Sequence, residues 1–438
     1  MGFFDFSLRI NGFKIHEAEK FIASIHALNE DDFSAYIEAQ KERILQHHLT
    51  TNLFYKKLAL DFDYSQWEAL PILTKKDLQQ PLENRLAEGF SKGQVYVNKT
   101  SGSSGDPFIF AKDKWSHALT WAIIKHRFSW YNIDFNTSKQ ARFFGIPLDR
   151  KNYYKERLKD WFSNRYRFSI FDLSEASFEF CLNKFKKTAF KYINGYTSPI
   201  VQFAKFLQDK NIVLKTVCPS LDFCMVTSEM LFDSDKQLME HQFGIPVINE
   251  YGASELDLIA FEDPKGDFIL NSETLFVEIV DASGKVVPNG QEGRIVITSL
   301  FNIAHPFIRY DIGDIGVIAE HSTSKRPVLK KLIGRTNDIA ILPSGKKAAG
   351  LTFYYITKSI IEDDGNVKEF VIEQQKKALF HVLYVSSKAL TDAKKITITK
   401  AMIDYLEEGV NITFERRDHL DRSASGKLKQ FISYLTSN

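Results

Sequence analysis

From Ile15 to about Leu60, apolar residues recur at three- and four-residue spacing among Lys, Glu and Gln, a period that predicts helix. Pro71 and Pro81 punctuate the next stretch of chain. Gln94 to Asn98 (Q-V-Y-V-N) alternates as a strand does and runs into a Ser/Gly-rich stretch. After it, Trp115 to Phe128 has helical composition and no breaker, so the expected order is strand, glycine loop, helix. Two further helices are predicted over Ser177 to Tyr192 and Ser198 to Gln208, and a third over Ser234 to Gln242 closed by Gly244.

Beyond that point the period changes. Ile245 to Ile248 is a short apolar strand leading into Glu250-Tyr251-Gly252. Leu275 to Val280 and Arg294 to Thr298 read as strands, separated by the turn-forming clusters Asp281 to Gly284 and Pro288 to Gly293. A boundary falls near Gly334 to Asp338. Downstream, Phe370 to Glu373 and Phe380 to Val385 read as strands, Asp392 to Glu408 as a helix and Asn411 to Phe414 as the last strand. Roughly 100 residues of tail suffice for a small α+β domain. The expected division is therefore residues 1–334 and 335–438.

A chain of 438 residues exceeds what one hydrophobic core organises, in keeping with two domains. With 44% hydrophobic and 26% charged residues it has the balance of a folded globular protein. The net charge of +2 carries no global bias toward nucleic acid or anionic membranes, and a solvated face accounts for the basic run from Arg150 to Arg167. Cys181, Cys218 and Cys224 match neither a disulfide framework nor a zinc spacing and are expected to be reduced and buried. Met1 to Phe6 is too short for a signal segment, and no apolar run approaches the ~20 residues of a membrane helix. A cytoplasmic protein without nucleic-acid or membrane partners is expected.

Four stretches carry candidate chemistry. Thr100-Ser101-Gly102-Ser103-Ser104-Gly105-Asp106-Pro107 offers glycines for close backbone approach to a polyanion and hydroxyls for its oxygens. No Gly-Lys-Ser/Thr ends it, so it is not a P-loop, and taken alone it is equally a flexible turn. Asn249-Glu250-Tyr251-Gly252-Ala253-Ser254-Glu255 sets an aromatic beside glycine to cover a flat base, and a Ser and a carboxylate to reach phosphate and Mg²⁺. In Phe307-Ile308-Arg309-Tyr310-Asp311-Ile312-Gly313-Asp314, Asp314 is suited to the two hydroxyls of a ribose. Gly334-Arg335-Thr336-Asn337-Asp338 adds a cationic donor in Arg335. Arg422 to Leu428 sets Lys427 among Ser and Gly, by itself an ordinary solvated charge.

In this order, T-S-G-S-S-G-D-P, Y-G-A-S-E, R-Y-D-I-G-D, G-R-T-N-D and S-G-K resemble the adenylate-forming superfamily, which includes acyl-CoA synthetases, luciferases and peptide-synthetase adenylation domains. The Ala69-Leu70-Pro71-Ile72-Leu73-Thr74-Lys75 segment and Asn52-Leu53-Phe54-Tyr55 narrow the resemblance to the phenylacetate–CoA ligase family, including members associated with capsular polysaccharide synthesis.

The resemblance implies an α/β fold: a large N-terminal adenylate-forming domain with mixed sheets, and a small mobile C-terminal α+β domain. It implies ATP, Mg²⁺ and coenzyme A as cofactors or co-substrates, a small carboxylic acid as substrate, and a homodimer. Thr100, Ser101, Gly102, Ser103, Ser104 and Gly105 would hold the ATP phosphates. Tyr251 and Gly252 would meet adenine, Ser254 phosphate and Glu255 the Mg²⁺. Asp314 and Arg335 would bind ribose, Asn337 and Asp338 would form the hinge, and Lys427 would bridge the attacking carboxylate and the α-phosphate.

The chain departs from the superfamily at Phe108, where many members have Lys. It departs again at Phe143-Phe144-Gly145-Ile146-Pro147-Leu148-Asp149-Arg150-Lys151, where Phe143 and Phe144 are candidates for the acyl pocket wall. His117, His126 and His241 are not needed by the chemistry. Transfer to an amine, a carrier protein or a saccharide precursor stays open, as does a non-catalytic nucleotide-binding protein.

Overall fold

The computed structural model describes every residue except 1, 101–107, 146–149, 171, 336–338, 350–360, 362–365, 423–427 and 436–438. The N-terminal helical stretch divides into α1 (Phe3–Ile10), α2 (Ile15–His26), α3 (Glu30–Thr51) and α4 (Leu53–Leu58). Two asparagines place the breaks. Asn29 Oδ1 accepts the N–H of Asp32 at 2.8 Å and Asn52 Oδ1 that of Tyr55 at 2.9 Å, each closing a helix start.

The strand before the Ser/Gly-rich stretch pairs with a second strand after it, which corrects the expected strand, loop, helix order. β1 (Tyr96–Lys99) and β2 (Ile109–Lys112) pair antiparallel with Lys99 opposite Ile109, and α5 (Lys114–Ser129) starts only after β2. Asp113 Oδ1 accepts the N–H groups of Trp115 and Ser116, so the α5 N-terminus is capped by its own side chain.

The chain then builds a seven-stranded sheet. In order come β3 (Gln140–Phe143), α6 (Arg150–Phe162), β4 (Arg165–Phe168), α7 (Glu175–Lys187), β5 (Tyr192–Tyr196), α8 (Thr197–Asp209) and α9 (Leu214–Val217). They are followed by β6 (Phe223–Thr227), α10 (Asp233–Phe243), β7 (Val247–Ala253), β8 (Asp257–Glu262) and β9 (Phe268–Leu270). The spatial order is β4-β3-β5-β6-β7-β8-β9, with the first five strands parallel and the last two antiparallel. The helix expected to reach Tyr192 ends at Lys187, because Tyr192 opens the strand that pairs with β3 and β6. A Cβ on Gly195 would lie 2.4 Å from the Phe143 carbonyl, so this strand contact requires glycine.

Both faces of the sheet are covered, as a parallel sheet requires. On one side Phe178, Phe203, Met239 and Phe243 from α7, α8 and α10 pack against Phe143, Ile193 and Val226. On the other, Ile22 of α2 and Leu119 and Ile123 of α5 pack against Tyr192, Met225 and Ile248. All three cysteines are buried and free. The basic run folds into internal pairs: Asp160 accepts from Arg165 and from Arg167, and Glu156 also pairs with Arg167. Among the described residues, no helix is long and apolar enough to cross a membrane.

β10 (Leu275–Val280) and β11 (Glu292–Ser299) pair antiparallel with Leu275 opposite Ser299; β12 (Tyr310–Ile318) and β13 (Leu329–Arg335) come next in the chain. The chain divides into two compact units, residues 1–312 with 317–331, and 313–316 with 332–438. Within the second unit, β14 (Ile339–Ile341) and β15 (Lys347–Ala349) form a hairpin. β16 (Val367–Lys376) and β17 (Leu379–Ser386) form another, and α11 (Asp392–Tyr405) crosses to β18 (Asn411–Arg417), parallel to β17. β19 (Phe431–Ser433) completes a four-stranded sheet of order β18-β17-β16-β19. The buried Gln374 amide bonds Ile341 through both its oxygen and its nitrogen, tying the hairpin to this sheet.

Candidate functional site

A dense polar constellation of the first unit surrounds the turn after β7. The β7–β8 ladder shifts register between Tyr251 and Gly252, and a Cβ at Gly252 would lie 2.7 Å from the Asp257 carbonyl. The chain then turns through Ser254, Glu255 and Leu256 to Asp257, whose φ of 60° is left-handed, a conformation Asp tolerates better than most residues. Asp257 Oδ2 receives the Lys112 ammonium and, at 2.6 Å, the Thr120 hydroxyl. Lys112 Nζ also reaches the Ser254 carbonyl at 3.5 Å. Lys112 thus ties the end of the glycine hairpin to the turn that bears Ser254 and Glu255.

Glu255 is buried and accepts the Tyr310 hydroxyl on Oε1 at 3.1 Å. That is its hydrogen bond among the described residues, leaving acceptor capacity for a hard cation. Ser254 is exposed beside it. A cavity of about 20 Å³ behind the turn, lined by Lys112, Thr120, Glu255 and Asp257 among others, has room for a water and not for a substrate. Thr100 closes the hairpin: its hydroxyl accepts the Phe108 N–H at 3.1 Å and its own N–H reaches the Phe108 carbonyl at 2.9 Å. Phe108, where many superfamily members have Lys, is buried against Phe110 and Phe307 and beneath the Arg85 guanidinium, a buried setting beside a positive charge that would not tolerate an ammonium.

The remaining expectations fall out unevenly. Tyr251 is nearly buried on β7. Asp314 is a buried residue of β12 and groups with the second unit, as does Arg335 at the end of β13. Ser101, Gly102, Ser103, Ser104, Gly105, Asn337, Asp338 and Lys427 lie outside the described residues. Phe143 is corrected: it stacks on Phe168 at 4.9 Å within the core under the sheet, because strand alternation turns it to the face opposite Arg142. Phe144, just past the end of β3, packs against the same core, edge-on to Tyr196 at 4.7 Å and beneath the Arg142 guanidinium at 4.2 Å. Arg309, though part of a candidate motif, is a buried clamp that donates to the carbonyls of Leu70 and Gly284 and pairs with Glu278. His117 stacks on Tyr96 and accepts from Trp121, and burial lowers its pKa to about 4, so it is a neutral packing residue.

Sequence reasoning passed over Lys112, Asp257, Arg142 and Glu250. Glu250 accepts the Thr227 hydroxyl at 3.0 Å, and burial raises its pKa to about 7 despite that bond and the nearby Arg142. The available signals were faint: a Lys ending a strand, an Arg inside one, and a charge directly before Tyr251.

This architecture is the fold of the adenylate-forming acyl-CoA ligases. A 2-hydroxyisobutyryl-CoA ligase, solved in the postadenylation state with 2-HIB-AMP, superposes with a TM-score of 0.69 at 15% identity, covering 93% of this chain and 90% of that one. The amide bond synthetase McbA from Marinactinospora thermotolerans superposes at 0.52 and 16% identity, over 79% and 70% of the two chains. By sequence, this protein is similar to protein CapK of Staphylococcus aureus, 22% identical over 315 residues, 70% of this chain and 66% of CapK. It is also similar to a phenylacetate–coenzyme A ligase of Aromatoleum evansii, 31% identical over 109 residues, 24% of this chain and 25% of that ligase. The matched stretches thus span just under two thirds of CapK and a quarter of the ligase. No family model matches the chain.

Proposed function

We propose that this protein activates a carboxylic acid with ATP, releasing pyrophosphate and forming an acyl-adenylate, and then transfers the acyl group to coenzyme A. One observation carries the reading: the Lys112–Asp257 tie joins the glycine hairpin to the turn bearing Ser254 and Glu255, on an acyl-CoA ligase fold. In this reading Thr100 to Gly105 wrap the phosphates, Tyr251 and Gly252 meet adenine, and Ser254 meets phosphate. Asp314 and Arg335 hold the ribose. The second unit acts as a mobile lid hinged at Asn337 and Asp338.

A carboxylate attacking phosphorus brings two anions together, so the site must supply positive charge as the reaction proceeds. Lys427 offsets the charge that develops, an electrostatic contribution of about 3 kcal/mol. Mg²⁺, when bound, neutralises phosphate charge, and the single carboxylate of Glu255 with its spare acceptor capacity suits an ion that prefers few protein oxygens. The protein works in the cytoplasm, where both co-substrates are made, and as a homodimer.

Pyrophosphate release trapped with hydroxylamine, measured across aromatic, fatty, amino and sugar acids, tests the first step. ATP binding without pyrophosphate from any acid would instead favour a non-catalytic nucleotide-binding protein. The likeness to an amide bond synthetase gives weight to an amine acceptor, including an amino group on a polysaccharide precursor. AMP release that depends on added amine and not on coenzyme A would select that acceptor.

A further inference from the structure

Near one edge of the sheet the chain passes from β3 to β4 on one side, then returns past β3 to β5 on the other. Ligands of open α/β sheets bind in the crevice at the carboxyl ends of strands where the order reverses in this way. Register and alternation place Arg142, Asn194, Met225, Thr227 and Glu250 on one face of β3, β5, β6 and β7. Met225 belongs to the apolar packing against α5. Its polar neighbours have no comparable explanation.

Arg142 makes no hydrogen bond or ion pair among the described residues, and its Nε is buried without a partner. The Phe144 ring lies beneath it at 4.2 Å, and Arg165, Arg167, Asp160 and Tyr192 lie within electrostatic reach. The Asn194 amide is buried, and its hydrogen bond among the described residues is to the Met225 thioether at 3.7 Å, a weak acceptor. Glu250 accepts a single bond, from Thr227. Buried polar groups in native proteins are nearly always paired, so the unpaired Arg142 Nε, beside the weakly bonded Asn194 amide and the half-buried Glu250 carboxylate on one face, calls for a ligand that completes them.

The charges restrict that ligand. An ammonium would face Arg142, and a second carboxylate would face Glu250. A hydroxyl or a primary amide donates to a carboxylate and accepts from a guanidinium or an amide N–H, and so satisfies all three. We infer that the acid this protein activates carries a neutral hydrogen-bonding substituent, a hydroxyl or an amide, on the part of its chain that enters this crevice. The inference rests on the adenylation reading and names its substrate class.

The test uses two acid series, built on valeric and phenylacetic acid, each with unsubstituted, hydroxyl, primary amide, carboxylate and ammonium members. Pyrophosphate release should favour the hydroxyl or amide member over the unsubstituted one by about a hundredfold or more in kcat/KM. Arg142→Met and Asn194→Leu should each cut that ratio at least tenfold. Both variants should also unfold at a midpoint no lower than the parent's, because Arg142→Met removes a buried Nε without a partner and Asn194→Leu an amide bonded only to a weak thioether acceptor. Preference for an unsubstituted or charged member overturns the inference while leaving adenylation intact. If no acid releases pyrophosphate, the adenylation reading fails, and thermal shifts with the same acids decide this one. Stabilisation specific to the hydroxyl or amide member and lost in Arg142→Met supports it; equal shifts in parent and variant refute it.

Discussion

Replacing Lys112 with Met removes the ammonium that ties β2 to the turn after β7 while keeping an unbranched stem. The Lys112 side chain is 4% exposed and that of Asp257 22%, so the pair sits at the inner margin of the site. Truncating one partner of a buried ion pair costs about 3–5 kcal/mol, mostly because the other charge is stranded. Partial exposure of Asp257 and its remaining bond from Thr120 place Lys112→Met at the low end, about 3 kcal/mol. Asp257→Asn is the matched change, since Asn also accepts the left-handed backbone found there and Ala does not. The double variant should show a coupling of about 2 kcal/mol rather than the sum of the single losses. Urea unfolding of the full chain followed by tryptophan fluorescence measures this. Trp67, Trp115, Trp121, Trp130 and Trp161 all lie in the first unit, so the signal reports that unit alone. A cost below about 0.5 kcal/mol, or strictly additive single variants, would refute the ion pair as the tie between hairpin and turn.

Glu250 has a folded pKa raised above its unfolded value, so its contribution is most favourable below about 4.5 and is lost as pH rises through about 7. Glu250→Gln should therefore gain stability relative to the parent between pH 5 and 8, by up to roughly 3 kcal/mol, and parallel urea curves would contradict this. His117 has the opposite sign: held neutral to about pH 4, it costs stability as pH falls from 6.5. His117→Gln should flatten the acid limb of the first unit's unfolding profile, read by the same fluorescence. Asp314→Ala should raise the Michaelis constant for ATP, and an unchanged value would remove it from the ribose site. Lys427→Ala should abolish pyrophosphate release yet still form thioester from supplied acyl-adenylate; equal loss of both steps would contradict its role.

Elements with local signals were legible. Within the helical stretch from Ile15 onward, α3 and α4 start at asparagine caps, and Leu275–Val280 runs as a strand over the residues its pattern marked. Of the C-terminal elements, β16, β17, α11 and β18 all lie where the pattern expected them, differing at their ends. The strands Gln140–Phe143, Arg165–Phe168 and Phe223–Thr227 were not, because parallel strands covered on both faces lack a clean alternation and two of these three carry arginines. The glycine stretch was read against the nearest helix, yet a strand follows it: Ile109 pairs with Lys99, and the Asp113 cap opens the helix only after that strand.

By itself the sequence determined the order of five motifs, the apolar faces of the helices and the chemistry each motif could offer, since those depend on neighbours a few residues away. Only the tertiary structure decided which side chains meet. Lys112 finds Asp257 across 145 positions. Arg142, Asn194, Thr227 and Glu250 share one face through parallel registers closed by helical crossovers. Phe143, a candidate for the pocket wall, and Arg309, part of a candidate motif, became core because strand alternation and a ring of carbonyls turned them inward. A strand shifted by one residue would present the opposite set, and nothing local to a strand sets its register against a partner fifty residues away.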